Sequence, residues 1–238
     1  MALAATTNTN LQTVFPSSSG TTALAAVKTI AAGATFDGGM VQWDRSPSTC
    51  NEQAEGGDSD AVFLLQDGAV LSNVIIGPNN GEGVHCLGTC TLNNVWWTDV
   101  CEDAATFKGT SSSGVSYVNG GGARNAEDKV LQHNGAGTVA VKNFWASSVG
   151  KVYRSCGNCG TQYARHSTFD NIFVNGASVV AGVNGNYGDT TYVQDSCVAS
   201  GSAVCWEYLG NDSGAEPSKT ASGPTGTACT TASIKTSC

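Results

Sequence analysis

The sequence predicts an all-β fold, a solenoid of short strands wound by a chain of 238 residues. Three observations predict it. Val outnumbers Leu by 23 to 10, and β-branched side chains suit a pleated sheet better than a helix. Turn formers are frequent, with 30 Gly among many Asn, Ser and Thr. Above all, short apolar runs return at a near-constant interval with no helical period between them.

Taken in order, the first 30 residues contain one apolar run, Leu24 to Ile30, and an N-terminal cap is expected over about residues 1–33. The runs DAVFLLQDG, EGVHCLG, DAATFKG, DKVLQHNG, GKVYRSCG, ASVVAGVNG and SAVCWEYLG then align on Val62, Val84, Ala105, Val130, Val152, Val179 and Val204. A second column reads Asn73, Asn94, Asn143, Asn171 and Asp195; the coil between Asn94 and Asn143 carries GVSYVNGG, with no Asn in the slot. Repeats of this length without helical periodicity stack as coils, one strand spacing (~4.8 Å) apart, so each column should form a ladder. A buried Asn in such a ladder can bond to the Asn above and below it. A β-sandwich would give turn signals every 8–12 residues or so, which the chain partly shows, but two columns advancing together favour the solenoid. Residues 211–238 are polar and hold Cys229 and Cys238, and are expected to form a disulfide-tied tail over the last coil of a single domain spanning 1–238.

Composition excludes several functions. Charged residues make up 13%, and 11 basic against 19 acidic residues leave a net charge of −8, which argues against nucleic acid or an anionic membrane as partner. No stretch has the ~20 apolar residues of a membrane-spanning helix. Ten cysteines point to an oxidising compartment. Cys86/Cys90 and Cys156/Cys159 lie in Gly-rich turns without His partners and read as disulfides rather than zinc ligands. The sequon Asn211-Asp212-Ser213 gives weak support to secretion. The N-terminus lacks the basic and apolar regions of a signal peptide, so the chain reads as a mature or recombinant form.

Two residues before the first column stand Asp60, Glu82, Asp103 and Asp128, then Gly150, with Glu102, Lys108, Lys129, Lys151 and Arg154 close by in sequence. Stacked carboxylates repel and raise one another's pKa unless something neutralises them. Oxygen ligands without His select a hard cation, and Ca²⁺ tolerates the irregular geometry of a sheet face. A solvated ladder of salt bridges is the alternative. His85 and His133 sit within strand runs and are expected to be structural, while His166 is expected in a loop. No GxSxG, HExxH or P-loop is present.

At these residues the chain resembles the small secreted pectate lyases of the third polysaccharide-lyase family, especially the fungal type. ATFDGGM, EGGDSDAVFLLQDGA, NVIIG, EGVHCLGTC, NVWWTDVCEDAATFKG, GGGARNAEDKVLQHNGAGTV, GKVYRSCGNCGTQYAR and NYGDT carry the resemblance from about residue 34 to 210. It implies a right-handed parallel β-helix, secretion, and Ca²⁺-dependent cleavage of polygalacturonate by a chain expected to act as a monomer. The resemblance places the metal ligands at Glu55, Glu82, Glu102 and Asp103, with Asp128 beside them, and moves Asp60 to the edge. Lys108, Lys129, Lys151 and Arg154 match the basic site residues. The N-terminal twenty residues and the Cys-bearing tail depart from the pattern.

The implied chemistry is β-elimination, leaving a 4,5-unsaturated sugar. Calcium would draw charge from the uronate carboxylate and acidify the proton on carbon 5. Lys129 is the expected base, its pKa lowered by Lys108, Lys151 and Arg154; Arg154 would hold the carboxylate or the intermediate and is the rival base. Lys108 and Asp128 would bind substrate. A polygalacturonase-type hydrolase is disfavoured, because Asp-Asp, Gly-His-Gly and Arg-Ile-Lys are missing. A non-catalytic polysaccharide-binding solenoid would need rows of exposed aromatics; the candidates Trp96, Trp97 and Trp145 read as turn and core packing.

Overall fold

The computed structural model describes residues 7–238; positions 1–6 of the expected cap lie outside the described residues. The chain is an all-β parallel solenoid of about eight turns. Each coil contributes to three faces. Face 1 stacks Lys28–Ile30, Ala61–Leu65, Glu82–Cys86 and Asp103–Phe107, then the C-terminal parts of Gly122–His133, Trp145–Ser155 and Phe173–Asn184, and finally Ala203–Leu209. Face 2 runs from the first halves of Thr35–Arg45, Ala69–Ile76 and Cys90–Trp97 through Val115–Asn119, Gly137–Lys142, Arg165–Asp170 and Thr190–Gln194 to Cys229–Ala232. Face 3 takes the remaining halves, with Thr21–Leu24 at one end and Cys197–Val198 at the other. Among the described strands only Ser218–Ser222 pairs antiparallel, against Ala203–Leu209. The first strands of faces 1 and 3 thus fall inside the stretch expected as a cap.

The Asn column makes the corner between faces 2 and 3. Asn73, Asn94, Asn143, Asn171 and Asp195 all hold left-handed backbone, φ 48° to 57°. Asn and Asp tolerate that region better than other residues with a Cβ. In the coil without an Asn the register puts Gly120 in the slot, at φ 67°, so the conformation persists where the amide does not. The amides bond along the stack: Asn94 Nδ2 donates to Asn73 Oδ1 at 3.0 Å and Asn171 Nδ2 to Asn143 Oδ1 at 2.7 Å. The N-terminal segment lies on this corner, Thr7 Oγ1 accepting from Asn73 at 3.0 Å and the Thr9 carbonyl from Asn143 at 2.8 Å.

The core column on face 1 is Phe63, Val84, Ala105, Leu131, Tyr153, Ala181 and Cys205. It matches the expected column at Val84 and Ala105. The alignment runs one residue early at Val62, Val130, Val152 and Val204, and two early at Val179. Both members of the pairs Val62/Phe63, Val130/Leu131 and Val152/Tyr153 are buried, so hydrophobicity alone does not fix the phase. Cys86–Cys90 and Cys156–Cys159 are disulfides, as expected, joined by Cys50–Cys101 and by Cys197–Cys238, which ties down the tail. Cys229, expected among the crosslinks, is instead a buried thiol, as is Cys205. His166 lies within a strand, not a loop, and bonds Thr190 Oγ1 at 2.7 Å. No helix is long and apolar enough to cross a membrane.

Candidate active site

Where each coil turns into face 1, two consecutive side chains point inward. A Cβ on Gly83 would meet the buried Trp97 Nε1 at 2.6 Å, and the next residue, Val84, is core. Residues three apart therefore share the outer side, and Glu82 Oε2 meets His85 Nε2 at 2.9 Å. The register stacks Ala61, Glu82, Asp103, Lys129 and Lys151 in one outer column, with Leu64, His85, Thr106, Gln132 and Arg154 in the other. The ladder is thus two carboxylates followed by two lysines, not four carboxylates. Asp60 and Asp128 sit one residue earlier, Asp60 in a short 3₁₀ turn and Asp128 beside an irregularity in pairing between Ala126 and Lys129.

Three carboxylates converge beside this column. Oxygens of Glu55, Glu82 and Glu102 lie within 4.8 Å of one another. The Cys50–Cys101 disulfide ties the loop that carries Glu55 to the residue before Glu102. Gly56 lets the loop approach closely: its N–H donates to Glu82 Oε1 at 3.0 Å, and a Cβ there would meet Glu82 Cγ at 2.9 Å. Asp103 is buried next to Glu82. Burial pushes its carboxyl well above the usual range; Glu102 and Glu82 add to the shift while Lys129 opposes it. Glu55 is raised by burial and by Glu102. Glu102 Oε2 and Asp103 Oδ1 are buried without hydrogen-bond partners. An oxygen-only donor set with two orphaned buried oxygens fits a hard cation.

Lys129 reaches into the same carboxylates, 2.7 Å from Glu102, 3.1 Å from Asp128 and 3.5 Å from Asp103. Burial disfavours its charge, but these anions outweigh burial and hold the pKa above that of an ordinary lysine. The lowered pKa expected from neighbouring cations is therefore not found in this arrangement: Lys151 stacks on Lys129 but is itself paired with Asp128. Lys108 bonds elsewhere, to Asp58 Oδ1 at 2.6 Å and His85 Nδ1 at 2.9 Å. Hydrogen bonds to Asp58 from Lys108 and from His85, 2.7 Å away, outweigh burial and depress the Asp58 pKa. Asp128 is likewise held low by Lys151 and Lys129 against its burial.

Arg154 completes the far side. Its Nη1 donates to the Ser155 carbonyl at 2.6 Å and to Asn184 Oδ1 at 3.0 Å, and its guanidinium lies 3.9 Å from the Tyr208 ring centroid. Gly182 lets the two meet, since a Cβ there would sit 3.0 Å from Arg154 Cδ and 3.1 Å from Tyr208 Cε2. Arg154 is 7% exposed, and no carboxylate among the described residues lies within ion-pair distance. Burial lowers its pKa below that of an ordinary arginine.

A cleft of 240 Å³ brings Glu55, Glu102, Asp128, Lys129, Lys151 and Arg154 together, with Gln132, Tyr208, Glu216 and Pro217 on its wall. Glu82, Asp103 and Lys108 line an adjoining recess with His85. His85, read from sequence as structural, thus touches the carboxylates. The sequence columns do not point to Tyr208, Asp58 or Glu216: only long-range pairing delivers Tyr208 and Glu216, whereas Asp58 lies within EGGDSD. Trp96 and Trp97 are core, as expected, and Trp96 packs on Trp145.

A family model described as pectate lyase matches residues 12–215. The chain belongs to the pectate lyase family. It is 50% identical over 212 residues to probable pectate lyase D of Emericella nidulans, covering 88% of this chain and 79% of that one. It is 49% identical over 210 residues to pectate lyase E of the same organism, covering 88% and 81%. The catalytic domain of pectate lyase PelI from Erwinia chrysanthemi superposes with a TM-score of 0.70 at 30% identity, covering 90% of this chain and 98% of that one. PelI in complex with tetragalacturonic acid matches with a TM-score of 0.69 at 30% identity, covering 89% and 68%. The pectate lyase reading makes the chain an enzyme, and the non-catalytic solenoid falls away.

Proposed function

We propose that this pectate lyase is calcium-dependent and cleaves α-1,4-polygalacturonate by β-elimination to give 4,5-unsaturated oligogalacturonides. The observation that carries the reading is one cleft in which a knot of carboxylates abuts Lys129, Lys151 and Arg154. The binding of tetragalacturonic acid by PelI supports an acidic galacturonan as substrate. An acidic protein and a polyanion repel, so the carboxylates need a bridging cation. Glu55, Glu82, Glu102 and Asp103 would hold Ca²⁺, which supplies positive charge beside the uronate carboxylate and acidifies the proton on carbon 5.

The chain's own residues do the rest. Lys151, Lys108 and Arg154 offer positive charge to the carboxylates of the sugar chain, while Asp128 holds Lys129 and Lys151 in place and Asp58 holds Lys108. Lys129 is the proposed base. Its ammonium now rests on Glu102 and Asp103. Once those oxygens serve a cation, the amine keeps only Asp128 of its three anionic partners, with Lys151 stacked beside it, so its pKa falls and its neutral form becomes accessible. Arg154 is the rival, favoured by one observation: it is buried and already lacks a carboxylate partner. We further propose that the protein is secreted, which its disulfides support, and that it acts as a monomer.

The test is absorbance of the unsaturated product in the ultraviolet. Polygalacturonate with Ca²⁺ should produce it, excess chelator should stop it, and added Ca²⁺ should restore it. Full turnover in chelator would remove calcium from the reading, and reducing ends without absorbance would make the enzyme a hydrolase.

A further inference from the structure

On face 2, away from the cleft, the register stacks Tyr117, Ala140, Thr168 and Tyr192 in one column. Tyr117 is 45% exposed and Tyr192 37%, and among the described residues the other large exposed hydrophobics are Val14 and Leu209. Two of four such residues thus share a single column, with small side chains between them. A depression of 410 Å³ runs between the rings. The column two residues on is polar throughout: Asn119, Lys142, Asp170 and Gln194. Within it Lys142 and Asp170 form an ion pair at 2.9 Å. The depression shares no lining residue with the catalytic cleft.

We propose that this face is a second binding site, for an extended, uncharged polysaccharide lying along the solenoid axis. The two rings are three coils apart, ~14 Å at the strand spacing, about the length of three linked pyranose units. An exposed aromatic ring offers an apolar face to the C–H side of a sugar ring. The polar column runs beside the rings and gives donors and acceptors for hydroxyls on one edge of the glycan. Charge decides the class of ligand. Lys142 is already neutralised by Asp170, and the chain carries a net charge of −8. A polyuronate would meet repulsion here with no cluster of carboxylates to hold a bridging cation, whereas a neutral glycan meets none. Such a site would keep the enzyme on a mixed matrix of neutral and acidic polysaccharides while the cleft works on the acidic component.

The experiment is native affinity electrophoresis in gels containing hydroxyethyl cellulose, xylan or polygalacturonate, for the parent chain, Tyr117→Ala, Tyr192→Ala, the double variant and Tyr117→Phe. At least one neutral glycan should retard the parent. Each Ala substitution should weaken that retardation roughly tenfold, as truncation of a principal contact does; the double variant should abolish it, and Phe should preserve it. Turnover of soluble polygalacturonate should be unchanged in all variants, which also reports that they fold. No retardation by either neutral glycan, or full retardation of the double variant, overturns the proposal. A loss confined to polygalacturonate gels would make the ligand acidic, and a dimer that the double variant dissolves in size-exclusion chromatography would make the occupant a second copy. Either result overturns it too.

Discussion

Lys129 must leave Glu102 before it can accept a proton, and this separates the two candidate bases. Replacing it by Ala should reduce turnover by about 10²–10⁴, the usual worth of a general base, with circular dichroism unchanged. Arg154→Ala should also impair the enzyme, through binding of the substrate carboxylate, and should raise KM more than Lys129→Ala does. If Lys129→Ala retains most turnover at about pH 8 to 10 while Arg154→Ala is inactive, the roles are reversed. Asp103 offers a second test. Its buried Oδ1 makes no hydrogen bond and has the Lys129 ammonium only at 3.5 Å, which costs stability unless a closer cation meets it. Asp103→Asn should therefore demand more Ca²⁺ for half-maximal activity while leaving the protein folded; an unchanged requirement means Asp103 is not a ligand. Residue types at this site were legible in the sequence, since Glu82, Asp103, Lys129 and Lys151 each fall near the repeat column. Their partners were not. Which carboxylate a lysine touches depends on a register that one residue of slip reverses, so the sequence reading surrounded Lys129 with cations and the fold surrounds it with anions.

At the scale of the element, the Asn corner was readable and the face 1 corner was not, for one reason. The face 2 to face 3 corner demands a backbone conformation, and Asn, Asp or Gly announces it from Asn73 to Asp195, although Met40 and Ser233 hold the same conformation at the two ends of the column. The entry to face 1 demands only two inward apolar side chains in succession, and Val-Phe, Val-Leu and Val-Tyr do not announce which one begins the strand. The Asn corner also predicts an energetic asymmetry. Asn94 Oδ1 accepts from the buried Trp96 Nε1 at 2.8 Å while its backbone sits at φ 54°. Asn94→Ala loses both services, about 1–2 kcal/mol for the left-handed backbone and about 1–3 kcal/mol for the stranded indole N–H. Both variants also lose the ladder bond from Asn94 to Asn73, so Asn94→Gly is spared only the backbone cost. Thermal unfolding should place Gly between the parent and Ala, the Ala variant roughly 5–15 °C below the parent at about 2–4 °C per kcal/mol for a chain of this size. Equal losses would mean that the backbone conformation costs nothing at this corner.

For the whole molecule, the carboxylate knot is a liability that a cation should convert into an asset. Glu55 and Asp103 have raised pKa values, so over the window above the ordinary carboxylate pKa these two groups hold more protons in the folded chain than in the unfolded one. By linkage, these two carboxylates cost the cation-free protein stability as pH rises through that window, as they are forced to ionise. His133, its pKa lowered by burial to about 3, acts in the opposite sense below its ordinary value but lies outside the carboxylate knot. A bound cation needs Glu55 and Asp103 ionised, so its affinity rises over the same window. The two effects act together: stabilisation by Ca²⁺ should be small near pH 5 and full near pH 8. At a hundredfold excess over Kd the gain is about 2.7 kcal/mol, or roughly 5–10 °C in Tm at this chain length. Thermal unfolding with Ca²⁺ and with chelator at both pH values measures it. Mg²⁺ should give less, because it demands a tighter octahedral shell than Glu55, Glu82, Glu102 and Asp103 offer from two loops and a sheet face. Glu102→Gln should lose most of the Ca²⁺ shift, because Glu102 both belongs to the carboxylate knot and neutralises Lys129. A shift equal at both pH values, or one that survives Glu102→Gln, would place the stabilising ion elsewhere on the molecule.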